Sequence, residues 1–328
     1  MKILLIGGTG KISLEVVNRA IELNMDVTVL NRGNHVSKLP KSVHLLIADY
    51  YNDEEVLNVL KDKYFDVVIQ FIAYNVKDVK RDIKLLSDHC KQYIFISSAS
   101  AYKKPLPHHP ITEDIPLDNP YWAYSKNKAE AEKYLHTVTN LAVTIVRPSH
   151  TYDSHTLLVV MKKDGYPYAH LKRLIEHKPI IIPDDGKNLW TVTHAIDFAQ
   201  SFVDLIGNEK AYHQTYHITS EKHYTWEQLT QLMADVLHVK PNIIHIPTDF
   251  IIKYMPYMEG PLLGDKAWQA IFDNQKIKDL SKNYRSQIGY EDCVKDVVDY
   301  YLKDESLHKI DLEFEKTYDM IIEKYLSL

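Results

Sequence analysis

Within its first ten residues the chain passes from a short apolar run, Lys2–Ile6, straight into Gly7-Gly-Thr-Gly10 and then into a segment with helical periodicity. A strand that feeds a helix through a glycine turn commits the chain to a βα unit, and the residues that follow repeat that unit. Short β-branched runs at Asp26–Leu30, Val43–Ile47, Asp66–Gln70, Gln92–Ile96 and Ala142–Val146 alternate with helical patterns at Gly10–Leu23, Asp53–Lys61, Val76–Cys90 and Tyr121–Thr137. Most of the runs are apolar throughout, as strands are when helices cover both faces of a sheet. The expectation is an α/β protein with a doubly wound parallel sheet over residues 1–150. After Arg147-Pro148, prolines and turn residues become frequent (Pro167, Pro179, Pro183, Asp184-Asp-Gly186) and helical patterns outnumber strands. A smaller, mainly helical substrate region is expected over 151–328. Segments near 188–220, at Trp190–Thr193 and Thr215–Ile218, are placed to return to the main sheet.

Composition narrows the function classes. With 45% hydrophobic and 25% charged residues the 328-residue chain reads as an ordinary globular protein with a large core. A net charge of −5, with lysine and arginine scattered, argues against nucleic acid or an anionic membrane surface as partner. The two cysteines, Cys90 and Cys293, make neither a disulfide framework nor a zinc site. Buried thiols in a reducing compartment are expected. The apolar N-terminal stretch is too short for a signal core, and no apolar run approaches the ~18 residues of a membrane span, so the expected location is the cytoplasm.

The loop Gly7-Gly-Thr-Gly10-Lys-Ile-Ser13 stands between strand and helix, the setting of a dinucleotide loop. Glycines let the backbone turn tightly and approach a pyrophosphate at the helix N-terminus. Ser13 replaces the usual third glycine and is small enough for close helix–strand packing. The second strand ends in Asn31-Arg32-Gly33, where an NAD site would place a carboxylate. Arg32 suits a 2′-phosphate through charge-assisted bonds, which favours NADP slightly over NAD. Asp49, after the third strand, is either an acceptor for the adenine amino group or an acid at a helix start. Ser98 ends the strand Gln92–Ile96 on the side where parallel sheets bind ligands, so it is either a substrate-orienting hydroxyl or a turn former.

Tyr124-Ser-Lys-Asn-Lys128 puts a phenol and an ammonium one helical turn apart. A nearby cation favours the phenolate, which suits proton transfer on a substrate hydroxyl beside a nicotinamide. The spacing alone is cheap in a chain with 23 tyrosines, since Tyr168/Lys172 shares it. Context separates the two: Tyr124 opens an Ala- and Glu-rich helix 26 residues after Ser98, whereas Tyr168 lies in a Gly-Tyr-Pro-Tyr loop. The bland alternative for Lys128 is a surface pair with Glu132, like its neighbours Lys126 and Glu130. A rival frame on Ser125-Lys126 would put Trp122 in the acid position, which fails chemically. Among seventeen histidines, His213 and His217 have helical metal spacing but fall in an expected strand, so no metal site is expected. His150 and His194 follow expected strands and are read as packing residues.

Taken together, the glycine loop, Ser98 and Tyr124-x-x-x-Lys128 resemble the extended short-chain dehydrogenase/reductases, the NAD(P)-dependent sugar-nucleotide epimerases and dehydratases with a Rossmann domain. Val146-Arg-Pro-Ser-His-Thr-Tyr152, Gly186 to Ala199, Tyr216-His-Ile-Thr-Ser220 and Phe250 to Asp273 extend the resemblance, to a bacterial branch of the family, over essentially the whole chain. The resemblance implies that Tyr124 is the acid/base, that Lys128 binds the nicotinamide ribose and lowers the tyrosine pKa, and that Ser98 orients the substrate oxygen. It implies that Gly7, Thr9, Gly10, Lys11 and Ile12 hold the pyrophosphate. It also implies a homodimer through paired helices, for which Val76–Cys90 and Tyr121–Thr137 are the candidates. The family's 4,6-dehydratases carry an acidic pair where this chain has Ala99 and Ser100, which counts against that chemistry. The leading function is an oxidoreductase or epimerase acting on a nucleotide-linked sugar, with Arg147 and Arg173 as phosphate candidates. A non-catalytic NADP-sensing regulator is a second reading, against which the tyrosine–lysine pair counts. RNA binding is a third, because chloroplast stem-loop RNA-binding proteins share the fold and a similar Asn-Arg-Gly strand end.

Overall fold

The computed structural model describes residues 1–328. Its first half runs β1 (Lys2–Ile6), α1 (Lys11–Glu22), β2 (Asp26–Asn31), β3 (His44–Ile47), α2 (Asp53–Leu60), β4 (Phe65–Gln70), α3 (Val76–Leu86), β5 (Cys90–Ile96), α4 (Ala123–Leu135) and β6 (Ala142–Pro148). The second half adds β7 (His150–Tyr152), α5 (Tyr168–Ile175), β8 (Pro179–Pro183), β9 (Trp190–His194), α6 (Ala195–Phe202), β10 (Gln214–Ile218), β11 (His223–Tyr224), α7 (Trp226–Val236), β12 (Asn242–Ile246) and α8 (Thr248–Tyr254). Helices Tyr290–Lys303 and Leu312–Leu326 follow. No helix is long and apolar enough to cross a membrane.

Seven strands form one parallel sheet in the order β10-β6-β5-β4-β1-β2-β3. The strand order explains the near-continuous apolar runs. Ile3 and Leu5 of β1 face α1 and α6, packing with Val16, Val17, Phe198 and Phe202. Leu4 and Ile6 face the other way, packing with Val56, Leu60, Val79, Ile83 and Leu135 of α2, α3 and α4. Alternate residues thus bury on opposite faces, each large side chain contributing ~1.5–3 kcal/mol. The chain builds outward from β1 through β2 and β3, then crosses back to place β4 on the other side. That reversal opens a crevice at the carboxyl ends of β1 and β4.

Two small sheets, β11-β9-β7 and the parallel pair β12-β8, build the second region, which has its own apolar core. Of the two expected return segments, Thr215–Ile218 joins the main sheet as part of β10, beside β6. Trp190–Thr193 does not: it lies in β9, parallel to β7 and antiparallel to β11. The helix expected over Val76–Cys90 ends at Leu86, because Cys90 is needed opposite Phe65 to start β5. Tyr168 opens α5 rather than sitting in a loop, and Lys172 pairs there with Glu176.

Candidate functional site

Gly7 and Gly8 have φ values of +113° and +79°, a region that L side chains rarely adopt. A Cβ on Gly8 would also come within 2.7 Å of Val29 Cγ1, so the turn can lie against β2 only as glycine. Gly10 is the N-cap of α1. Ser13, buried at the third-glycine position, accepts from the Gly10 N–H (2.9 Å) and donates back to the Gly10 carbonyl (3.2 Å). The first amides of α1, those of Lys11 and Ile12, have no intrahelical acceptor and lie at the positive end of the helix dipole. Asn31 holds the loop from the side: its Nδ2 donates to the Gly7 carbonyl (3.3 Å) and its Oδ1 accepts from the Gly33 N–H (2.8 Å).

Two cavities meet at this loop. A smaller one, about 320 Å³, is lined by Gly7, Thr9, Asn31, Arg32, Asp49 and Tyr74 among others. Arg32 is exposed on its rim and makes no ion pair. Asp49 Oδ1 accepts from the Tyr51 N–H (3.1 Å), a turn-forming role that leaves its second oxygen without a protein donor. The larger cavity, about 610 Å³, is lined by Gly7 to Ser13 on one side and by Ser98, Tyr124 and Lys128 on the other. The expected cofactor-loop residues and the expected catalytic trio therefore surround one continuous crevice, at the carboxyl ends of β1, β4 and β5.

Ser98 caps the short 3-10 turn after β5, accepting from the Ser100 N–H (3.2 Å) and sharing a hydrogen with Ser100 Oγ (2.9 Å). Ser125 Oγ donates to Ser100 Oγ (2.9 Å), which ties that turn to the start of α4. Tyr124 lies in the first turn of α4 and Lys128 one turn on, its Nζ 5.9 Å from the Tyr124 ring centroid. Lys128 is only 2% exposed and is not a surface partner of Glu132. Its ammonium donates to the carbonyls of Ala73 (2.7 Å) and Ile96 (2.8 Å), bridging the segments that follow β4 and end β5. Burial pushes its pKa down to about 7, against the opposing charges of Glu132 and Asp78. The expected lowering of the tyrosine by this lysine is not what the site shows. Burial raises the Tyr124 phenol above its ordinary value, the Ser98 hydroxyl opposes that, and Tyr74 and Asp265 add to it.

Both arginines read as phosphate candidates are structural. Arg147 is buried and donates through Nε and Nη2 to Glu132, and through Nη1 to the Glu113 carbonyl. Arg173 is buried under Glu315 and Asp319 of the last helix and donates to the Pro179 carbonyl. His194 caps α6, accepting from the Ile196 N–H, and His150 packs its ring 5.1 Å from that of Trp190. His213, at φ +56°, precedes β10 and only His217 lies within it. No three His, Cys, Asp or Glu side chains stand close enough to hold a metal ion.

Three further side chains line the Tyr124 end of the larger cavity: Lys104 and Asp265, which escape sequence reasoning, and Trp122, which is met there only as a rejected acid. Lys104 follows Ser98 by six residues and Trp122 precedes Tyr124 by two, whereas Asp265 comes from a distant segment. The one local signal is Gly260 and Gly264, four residues apart, which make room for Trp122.

The donor set fits a nicotinamide dinucleotide. Close-approach glycines and unpaired helix-terminal amides suit a pyrophosphate, and the smaller cavity lies where the adenosine half would extend. Comparison with known proteins agrees. Residues 3–218 match the model of the NAD dependent epimerase/dehydratase family. The chloroplast stem-loop binding protein of 41 kDa b from Arabidopsis thaliana is 28% identical over 88% of this chain and 79% of its own length. The 2'-dehydrokanamycin reductase of Streptomyces kanamyceticus is 22% identical over 88% of this chain and 81% of its own. The dTDP-glucose 4,6-dehydratase of Bacillus anthracis, solved in complex with NAD, superposes with a TM-score of 0.72 at 18% identity, covering 94% of this chain and 98% of that one. With the match to the family model spanning well over half of its length, the chain belongs to the NAD dependent epimerase/dehydratase family.

Proposed function

We propose that this protein is an NAD(P)-dependent oxidoreductase or epimerase acting on a hydroxyl or carbonyl of a nucleotide-linked sugar or a similar substrate, with Tyr124 as acid/base. The observation that carries the reading is the placement of Ser98, Tyr124 and Lys128 on the wall of the same crevice as the glycine loop. When bound, the nicotinamide supplies the hydride donor or acceptor. Gly7, Thr9, Gly10, Lys11 and Ile12 hold its pyrophosphate, Arg32 meets a 2′-phosphate, and Asp49 accepts from the adenine. The Ser98 hydroxyl fixes the substrate oxygen beside the Tyr124 Oη. A phenol raised by burial keeps its proton at neutral pH, so Tyr124 stands ready as the donor to a substrate carbonyl. In the oxidative direction it must give up that proton first. The third proton of the Lys128 ammonium, the one not used by Ala73 and Ile96, is the group on this wall suited to a ribose hydroxyl. Arg32 and the raised phenol together favour net reduction with NADPH.

The test is Tyr124→Phe. Turnover should fall by about 10²–10⁴-fold while cofactor affinity, read by fluorescence titration, stays within twofold. A variant with full turnover would remove Tyr124 from the chemistry. The stem-loop-binding relative favours RNA binding as a second reading. Salt-dependent retention of a stem-loop RNA by a protein that turns over no sugar nucleotide would establish it instead.

A further inference from the structure

We propose that Lys104, Asp265 and Trp122 form a subsite that holds an uncharged, polyhydroxylated ring beside Tyr124 and selects against rings that carry a carboxylate. This rests on the reading of Tyr124 above and names the substrate chemistry of that site. Lys104 is 5% exposed, lines the large cavity, and its ammonium has neither a hydrogen-bond nor an ion-pair partner in the protein. The Asp265 carboxyl lines the same wall and takes no hydrogen bond. The two attract through space without bonding to each other. Both polar ends open onto the cavity, so their hydrogen-bonding capacity is left to whatever occupies it. Lys266, the other cation that acts on Asp265, is committed elsewhere, donating to the carbonyls of Val159 (3.3 Å) and Val160 (3.0 Å).

A hydroxyl both donates and accepts, so two neighbouring ring hydroxyls can accept from Lys104 and donate to Asp265 at once. A ring carboxylate has only acceptors and a charge like that of Asp265. Burial moves the two groups to about 8 for Lys104 and about 6 for Asp265, which keeps them oppositely charged at neutral pH and the subsite neutral as a whole. Trp122 supplies an apolar wall for the ring's C–H face, its indole centroid 5.1 Å from the Tyr124 ring.

The subsite is rigidly held. Asp265 lies in a π-helical turn, Leu262–Lys266, a deviation often found at functional sites. Gly264 lets that turn close on Trp122: a Cβ there would come within 2.8 Å of Trp122 Cβ, and one at Gly260 would press on the indole itself. Asn119 Nδ2 donates to both the Ser100 carbonyl (2.7 Å) and the Gly264 carbonyl (2.6 Å), which ties the Ser98 turn to the π-helical turn. Asp265 is near enough to Tyr124 for its charge to raise the phenol.

Calorimetric titration of the protein saturated with NADP or NAD, using UDP-glucose and UDP-glucuronate as probes, tests this. The probes differ at one ring substituent, a hydroxymethyl or a carboxylate. UDP-glucose should bind at least about tenfold more tightly, a difference of about 1.4 kcal/mol. Asp265→Asn should narrow the gap to under about threefold, and Lys104→Met should weaken UDP-glucose about tenfold. Asp265→Asn is nearly isosteric and keeps the test available if Lys104→Met does not fold. Equal affinities, a preference for the uronate, an unchanged gap in Asp265→Asn, or no binding of either probe overturns the proposal. If Tyr124→Phe loses turnover while both subsite variants bind as wild type, the subsite fails and the enzyme reading stands. If Tyr124→Phe keeps turnover while the gap responds to Asp265→Asn, the reverse holds.

Discussion

Asn31 and Arg32 are adjacent yet have different tasks. The Asn31 side chain is spent inside the protein, holding the glycine loop, whereas Arg32 stands exposed on the cavity rim without a partner. Arg32→Ala should therefore raise the dissociation constant for NADPH about tenfold and leave that for NADH unchanged, as read by fluorescence titration. Equal effects on both cofactors would remove the 2′-phosphate from the account. What the sequence makes legible at this scale is which near neighbours face one crevice, such as Gly7 to Ser13 and Tyr124 with Lys128. Arg147 and Arg173 were misread as phosphate ligands because their acidic partners, Glu132 for one and Glu315 with Asp319 for the other, are distant in the chain. Lys104 and Asp265 were invisible for the same reason.

A buried network at Glu132 adds to the ties that Ser125 and Lys128 give helix α4. Glu132 receives Ser97 Oγ from the end of β5 and the Arg147 guanidinium from β6, so the helix that carries Tyr124 is tied to two strands. Glu132→Ala should cost about 3–5 kcal/mol in urea denaturation, because it strands a buried guanidinium. Adding Arg147→Met should recover part of that loss, and a double variant no more stable than the single one would show that the charge pair is not what holds the helix. The six strands of the first half were legible to within two residues at each end, since alternation with helices is a local pattern. Trp190–Thr193 was not, because a β-branched run looks the same whichever sheet receives it; here its partners are β7 and β11.

Across the whole molecule, burial lowers Lys104 and Lys266 to about 8 and Lys128 to about 7. An unfolded lysine titrates near ~10.4, so the native state sheds these protons first. The contribution to stability is present above the unfolded value and is lost as pH falls through about 8 and about 7. Stability without cofactor should thus rise between pH 7 and 8.5, by up to about 1.4 kcal/mol per pH unit for each lysine. Asp82 and Asp265, raised to about 6, act in the opposite sense but only below that value. The rise of the urea midpoint across this range should shrink in a Lys104→Met/Lys128→Met double variant, leaving the part due to Lys266; an unaltered slope would assign the effect to other groups. The outermost strand of the main sheet, β10, is laid down only after the chain has left to build β7, β8 and β9. Phe198, Phe202, Tyr216 and Ile218, all from that return passage, seal one face of the sheet. The two regions are therefore not modular in the genetic sense: exchanging the second region for another by recombination must preserve two crossover points rather than one.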